Sequence, residues 1–295
     1  MKKYLPTNDL LFKKTFASVG NEAILIGFLQ DVLQIEIESI QVKQPYHIDQ
    51  FKNALNPDEL LKTEVDLLAT SSSGEVFTVE MQRLSHDYFV ERTLFYGAQE
   101  YTENYKGQEL DRDGRRDSRP NYYSSLRKVY SISILEGTLF KADNRVIRHF
   151  KYLDAETYDS LEVLGVQTID LVYFQLNGEV YDHLNVKYWK DFFLKSSVSD
   201  SAPDYIQLAC EGIRFVNLSQ EEREMAETIS KREADYWAQI SSAEDRGIER
   251  GIELGLEEGM RKIIFQFYRS GMSIETIAEH TDFSVDEVRE ILDRE

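Results

Sequence analysis

Cysteine is nearly absent from this chain of 295 residues: a single one, Cys210, excludes an intramolecular disulfide and a cysteine-based zinc cluster, and agrees with a reducing compartment. It stands in the apolar pattern of Ile206, Ala209 and Ile213, where a free cysteine reads as core packing. No run approaches the roughly 18 to 20 apolar residues that a membrane span requires. The opening Met1-Lys2-Lys3-Tyr4-Leu5-Pro6 also lacks the apolar stretch of a signal peptide, so a cytoplasmic protein is expected. The histidines His47, His86, His149, His183 and His280 show no zinc-binding spacing and read as surface or hydrogen-bonded polar residues. With neither a GxGxxG turn nor a P-loop, nucleotide-driven chemistry drops from first consideration. Positive charge is scarce too. The formal charge of -19 argues against a generic nucleic-acid binder, because phosphate contacts are made by Lys and Arg. Much of the acidic excess follows Ser219, in runs such as Glu221-Glu222-Arg223-Glu224 and Glu257-Glu258, and the local field matters more than the total.

What is present is 42% hydrophobic residues, enough for one large domain and a small appended one. Leu10 to Leu33 carries apolar residues at helical spacing and reads as two helices broken near Gly20. Ile35 to Val42 alternates and predicts a strand; Pro45 to Pro57 is polar and predicts a loop. Lys62 to Thr70 and Glu75 to Gln82 are β-rich runs joined by Ser71-Ser72-Ser73-Gly74, which predicts a hairpin. Asp87 to Tyr105 reads as a helix, and Gly107 to Pro120 as a polar insertion. Lys128 to Leu135, Arg145 to Tyr152 and Thr168 to Leu176 read as further strands, followed by helices around Tyr188 to Phe193 and Tyr205 to Phe215. From Glu244 onward Gly247, Gly251, Gly255 and Gly259 recur every fourth residue, each followed by an apolar side chain. Ser273 and Ser284 then stand as N-caps of short terminal helices, with Phe265, Phe267, Ile274, Ile277, Phe283, Val288 and Ile291 available for a small core. The expected organisation is an α/β domain over 1–218, a helical glycine-repeat connector over 219–260 and a helix-turn-helix-like module over 261–295.

Hydrolysis of a phosphodiester with a hard cation needs carboxylates converging on one point and a group that positions water. The hairpin can build this. Side chains two apart on a strand share a face, so Glu80 and Gln82 point the same way, with Asp66 on the neighbouring strand and the Met81 carbonyl between them. Glu64 shares a strand face with Asp66 and reads either as a competing ligand or as a solvent-exposed surface acid.

Asp66 followed by Val79-Glu80-Met81-Gln82 resembles the D…(E)xQ variant of the PD-(D/E)XK motif, which marks the Rpn family of recombination-promoting nucleases and transposases. Four further blocks in the same order are similar to that family: Thr7 to Phe16, Glu91 to Tyr96, Val129 to Leu135 and Tyr188 to Phe193. The resemblance spans roughly residues 4 to 265 and rests on the order of the blocks. It implies a restriction-endonuclease-like α/β core, a mixed sheet flanked by helices, with a C-terminal helical tail. It further implies a metal-dependent DNA endonuclease, with Asp66, Glu80 and the Met81 carbonyl holding Mg²⁺ or another divalent cation. Gln82 stands where the parent motif has lysine, and Glu22 is a candidate extra ligand because such folds often add an acid from the first helix. Two departures bear on substrate contacts: the insertion over 107–120 is long, and Asn104 stands where a helix glutamine is expected. Arg112, Arg115, Arg116 and Arg119 in that insertion are candidate DNA contacts, although Asp111, Asp113 and Asp117 interleave with them. A rival reading is a catalytically silent nuclease-like scaffold whose acidic tail binds a protein partner or a second copy. A DNA-binding regulator is disfavoured because the final helix, Val285 to Glu290, is acidic where a recognition helix is basic.

Overall fold

The computed structural model describes residues 4–53, 66–82, 88–103, 105, 122–140, 144–281 and 283–293. Asn8 opens the first helix, α1 (Asp9–Ala17), by accepting from the Leu11 N–H, which satisfies one of the helix's orphan donors. The chain then turns through Gly20, at φ +92, into α2 (Glu22–Leu33). Gln34, in the left-handed region, ends α2.

Among the described residues a six-stranded sheet follows, in the order β1-β2-β3-β4-β6-β5. Its strands are β1 (Ile40–Val42), β2 (Leu67–Ser71), β3 (Val76–Gln82), β4 (Val129–Leu135), β5 (Ile147–Phe150) and β6 (Ile169–Gln175). β3, β4 and β6 run parallel, whereas β1, β2 and β3 pair antiparallel and β5 is antiparallel to β6. The expected hairpin is β2–β3, with Gly74 supplying a positive φ of +96 in the turn. The expected strand over 35–42 shrinks to three residues. Ile40 pairs with Ser71, the last residue of β2, so anything earlier would face the turn rather than a partner strand. The expected loop over 45–57 contains a short helix, α3 (Asp49–Asn53), which buries Phe51.

Strand alternation sorts β3 onto two faces. Phe77 and Val79, with Met81 beside them, join the main core, where Phe16 and Phe28 of α1 and α2 meet Trp189, Phe192 and Phe193 of α5 (Leu184–Lys195). Cys210, on α6 (Asp204–Gly212), is buried in this core, and burial pushes its thiol up to about 11. Thr78, Glu80 and Gln82 take the opposite face, which is covered by α4 (Phe89–Glu103). There the packing is tight and partly polar: Thr78 bonds Ser131, and Thr93 of α4 contacts Ser133. Gly97 permits the close approach, because a Cβ there would lie 2.9 Å from Ile169 Cγ2.

The chain divides into compact units over 1–230 and 231–295. One helix, α7 (Gln220–Arg269), carries the chain from the first to the second, where the sequence suggested a connector and a separate module. In the second unit α8 (Ile274–His280) and α9 (Val285–Asp293) pack Ile277 and Val288 against Ile264, with Phe267, Ile274, Phe283 and Ile291 around them. Ile264 takes the central place, and Phe265 is outside this cluster. Among the described residues no single helix is long and apolar enough to cross a membrane.

Candidate active site

The register Leu67↔Val79 puts Asp66, just ahead of β2, level with the end of β3. Its Oδ2 accepts from the Met81 N–H at 2.7 Å. Within a strand, one residue's N–H and C=O point to the same edge. The Met81 carbonyl therefore lies on the Asp66 side, while Gln82 turns its carbonyl to the Glu136 N–H on the β4 side. Glu80 and Gln82 emerge on the α4 face, and Arg92 spans them: its Nη2 lies 2.5 Å from Glu80 Oε1 and 2.7 Å from Gln82 Oε1. Helical spacing stacks the Arg92 guanidinium near the rings of Phe89 and Tyr96, with centroids at 5.6 and 6.0 Å.

A further carboxylate comes from α1. Asp9, in its first turn, keeps Oδ1 buried without a hydrogen-bond partner, and Lys13 one turn on lies 3.8 Å from it. Burial raises the Asp9 carboxyl, with Lys13 opposing. Asp66 is half-buried as a residue, but its carboxyl is turned inward. Burial pushes it up to about 8; the charges of Asp9 and Glu80 add to this, while Lys13 and the Met81 N–H oppose it. Like charges gathered in a poorly solvated place are relieved by protons or by a cation.

The donors suit a hard divalent ion. They are oxygens, and the charges of Asp9 and Glu80 both act on the inward-turned Asp66 carboxyl. Among the described residues no group of three or more His, Cys, Asp and Glu side chains is already gathered as a metal cage. A cation at the hairpin would use Asp66, Glu80 and the Met81 carbonyl, with water completing the sphere, as Mg²⁺ commonly does.

The structure thus brings Asp66, Glu80, Met81 and Gln82 together. Glu22 stands elsewhere: it is partly exposed, its carboxylate accepts from the Gly20 N–H, and that bond holds it below the usual range. α1 and α2 meet at 100°, and it is Asp9 on α1 that acts on Asp66. Arg112, Arg115, Arg116 and Arg119, together with Glu64 and Asn104, lie outside the described residues. Sequence reasoning missed Asp9, Lys13 and Arg92 as site residues. Arg92 did carry a signal: it is the lone basic residue of α4, and it stands between Phe89 and Tyr96, which are buried.

A second charged cluster lies at the far end of the parallel strands. Lys128 Nζ contacts Asp170 and Glu162, and His149 Nε2 lies 2.7 Å from Asp170. Burial would raise Asp170, yet His149 and Lys128 outweigh it and hold the carboxyl low. This is a satisfied internal network joining β4, β5 and β6.

A family model described as PD-(D/E)XK nuclease family transposase matches residues 6–243. No curated protein and no solved structure matches the chain.

Proposed function

Because the chain belongs to the PD-(D/E)XK nuclease family transposases, we propose that it is a cytoplasmic enzyme that hydrolyses DNA phosphodiester bonds at the β2–β3 hairpin with a divalent cation, Mg²⁺ by preference. The observation that carries this reading is the meeting of Asp66 and Glu80 at one strand end, where burial and the charges of Asp9 and Glu80 drive Asp66 up to about 8. Such a site wastes stability unless a cation fills it.

When bound, the cation supplies Lewis-acid polarisation of the phosphate and of water, and charge neutralisation in the transition state. Asp66, Glu80 and the Met81 carbonyl would hold it. The Met81 N–H fixes the Asp66 carboxylate, so little reorganisation is needed on binding. Gln82 shares Glu80's face and orients the attacking water through its amide. Unlike a lysine, an amide brings no charge to the transition state. Asp9 adds negative potential behind Asp66, and Lys13 limits it.

Cleavage of DNA by the purified full chain, with Mg²⁺ and with a chelator, tests the proposal. Chelator-sensitive cleavage is expected. Absence of cleavage with Mg²⁺, Mn²⁺ and Ca²⁺ alike would overturn it, and RNA run in parallel settles the substrate class.

A further inference from the structure

The guanidinium of Arg92 occupies one oxygen of Glu80, Oε1, which a cation bound through that oxygen would have to take from it. One nitrogen, Nη2, serves both Glu80 Oε1 and Gln82 Oε1, at 2.5 and 2.7 Å. The pair is poorly solvated, with the Arg92 side chain 29% exposed and that of Glu80 15%, so solvent screens it weakly. A guanidinium and a carboxylate normally meet as a two-nitrogen fork. Here the geometry is different. A single nitrogen is shared between two acceptors, and Nε is buried with no hydrogen-bond partner. A buried donor left unmet is costly, so this arrangement does not satisfy the whole guanidinium.

The guanidinium does not depend on Glu80 for its position. Phe89 and Tyr96 back it with their rings, and its own backbone is fixed in the helix by the bond from Arg92 N to Tyr88 O at 3.0 Å. Released from Glu80, it would stay at the mouth of the site with free donors, in a geometry suited to two non-bridging phosphate oxygens. It also places a positive charge beside position 82, where the amide has none.

Resting on the metal-dependent reading above, we infer that Arg92 is an exchangeable counter-ion. It holds Glu80 and Gln82 in the metal-free protein, yields Glu80 to the divalent cation, and then grips the phosphodiester with the donors set free. Metal and guanidinium thus compete for one carboxylate, while metal and substrate cooperate.

Calorimetric titration of the full chain with Mn²⁺ alone, in the absence of DNA, tests this. Arg92→Gln is expected to bind Mn²⁺ about tenfold more tightly than wild type, because the competitor is gone. The same variant is expected to nick DNA about 100-fold more slowly, because the phosphate contact is gone too. A merely structural role would weaken both. The gain should vanish in Glu80→Gln/Arg92→Gln measured against Glu80→Gln, as competition at that carboxylate requires. Arg92→Met keeps the stem's packing on the rings and serves if glutamine unfolds the protein. Equal or weaker Mn²⁺ binding by these Arg92 variants, with wild type binding normally, overturns the exchange and leaves the nuclease reading standing. A folded wild type that binds no Mn²⁺ overturns both.

Discussion

Asp66 is pushed up to about 8 by burial first and then by the charge of Asp9, which the first turn of α1 brings beside it. A carboxyl raised in this way holds its proton in the folded chain at a pH where the unfolded chain has lost it. Its contribution to stability therefore falls as pH rises from the ordinary value of 3.8 to about 8. Asp66→Asn removes that slope. In chelator, the variant is expected to be more stable than wild type by about 1–3 kcal/mol at pH 8, with the difference shrinking toward pH 4. Urea unfolding at both pH values measures it; a variant less stable than wild type at pH 8 would contradict the strained site.

Gly97 sets the distance between α4 and the sheet, and hence between Arg92 and Glu80. In Gly97→Ala the added Cβ would meet Ile169 Cγ2 at 2.9 Å and Ser131 Cβ at 3.4 Å, and neither short side chain can swing clear. Overpacking is expected to outweigh the gain in helix propensity, for a net loss of about 1–2 kcal/mol in thermal or urea unfolding.

Much of this arrangement was legible in the sequence, and the limit is a physical one. The hairpin could be read because turn chemistry and alternation are local, and it alone brought Asp66, Glu80 and Gln82 to one strand end. Asp9 could not be read as a site residue. It looks like an ordinary first-turn acid of α1, and only tertiary packing brings it to Asp66. Glu22 is likewise an acid in the first turn of its helix, but a sharp break between the helices separates the two. Ile35 and Ile37 alternate like a strand yet pack against the core from irregular chain, because β2 has no residues left to pair with them.

Gln82→Leu removes the amide that accepts from Arg92 and that is proposed to orient the attacking water. Single-turnover cleavage is expected to fall by about 10²-fold while Mn²⁺ affinity stays within a few-fold of wild type. A wild-type rate in this variant would take Gln82 out of the site.

The second unit bears the apolar stripe of Ile248, Ile252 and Leu256, which are 61%, 59% and 66% exposed, beside glycines with open space around them. Each glycine costs about 1 kcal/mol of helix propensity, which burial against a second copy or a protein partner would offset. A chain ending at Ser230 is the informative truncation, since Asn8 Nδ2 donates to the Ala226 carbonyl and Ser230 Oγ, and Lys14 pairs with Glu222. It is expected to keep metal binding and to sediment as a monomer at micromolar concentrations where the full chain associates. Monomers in both cases would rule out self-association.

Nicking of supercoiled DNA by Asp66→Ala and Glu80→Ala tests the hairpin site most directly. Each variant should remain folded by circular dichroism. Wild type is expected to nick the plasmid in Mg²⁺, and each variant to fall by about 10²-fold or more, because each loses a group proposed to hold the cation. Full cleavage by either variant, in a preparation free of contaminating nuclease, would contradict the assignment.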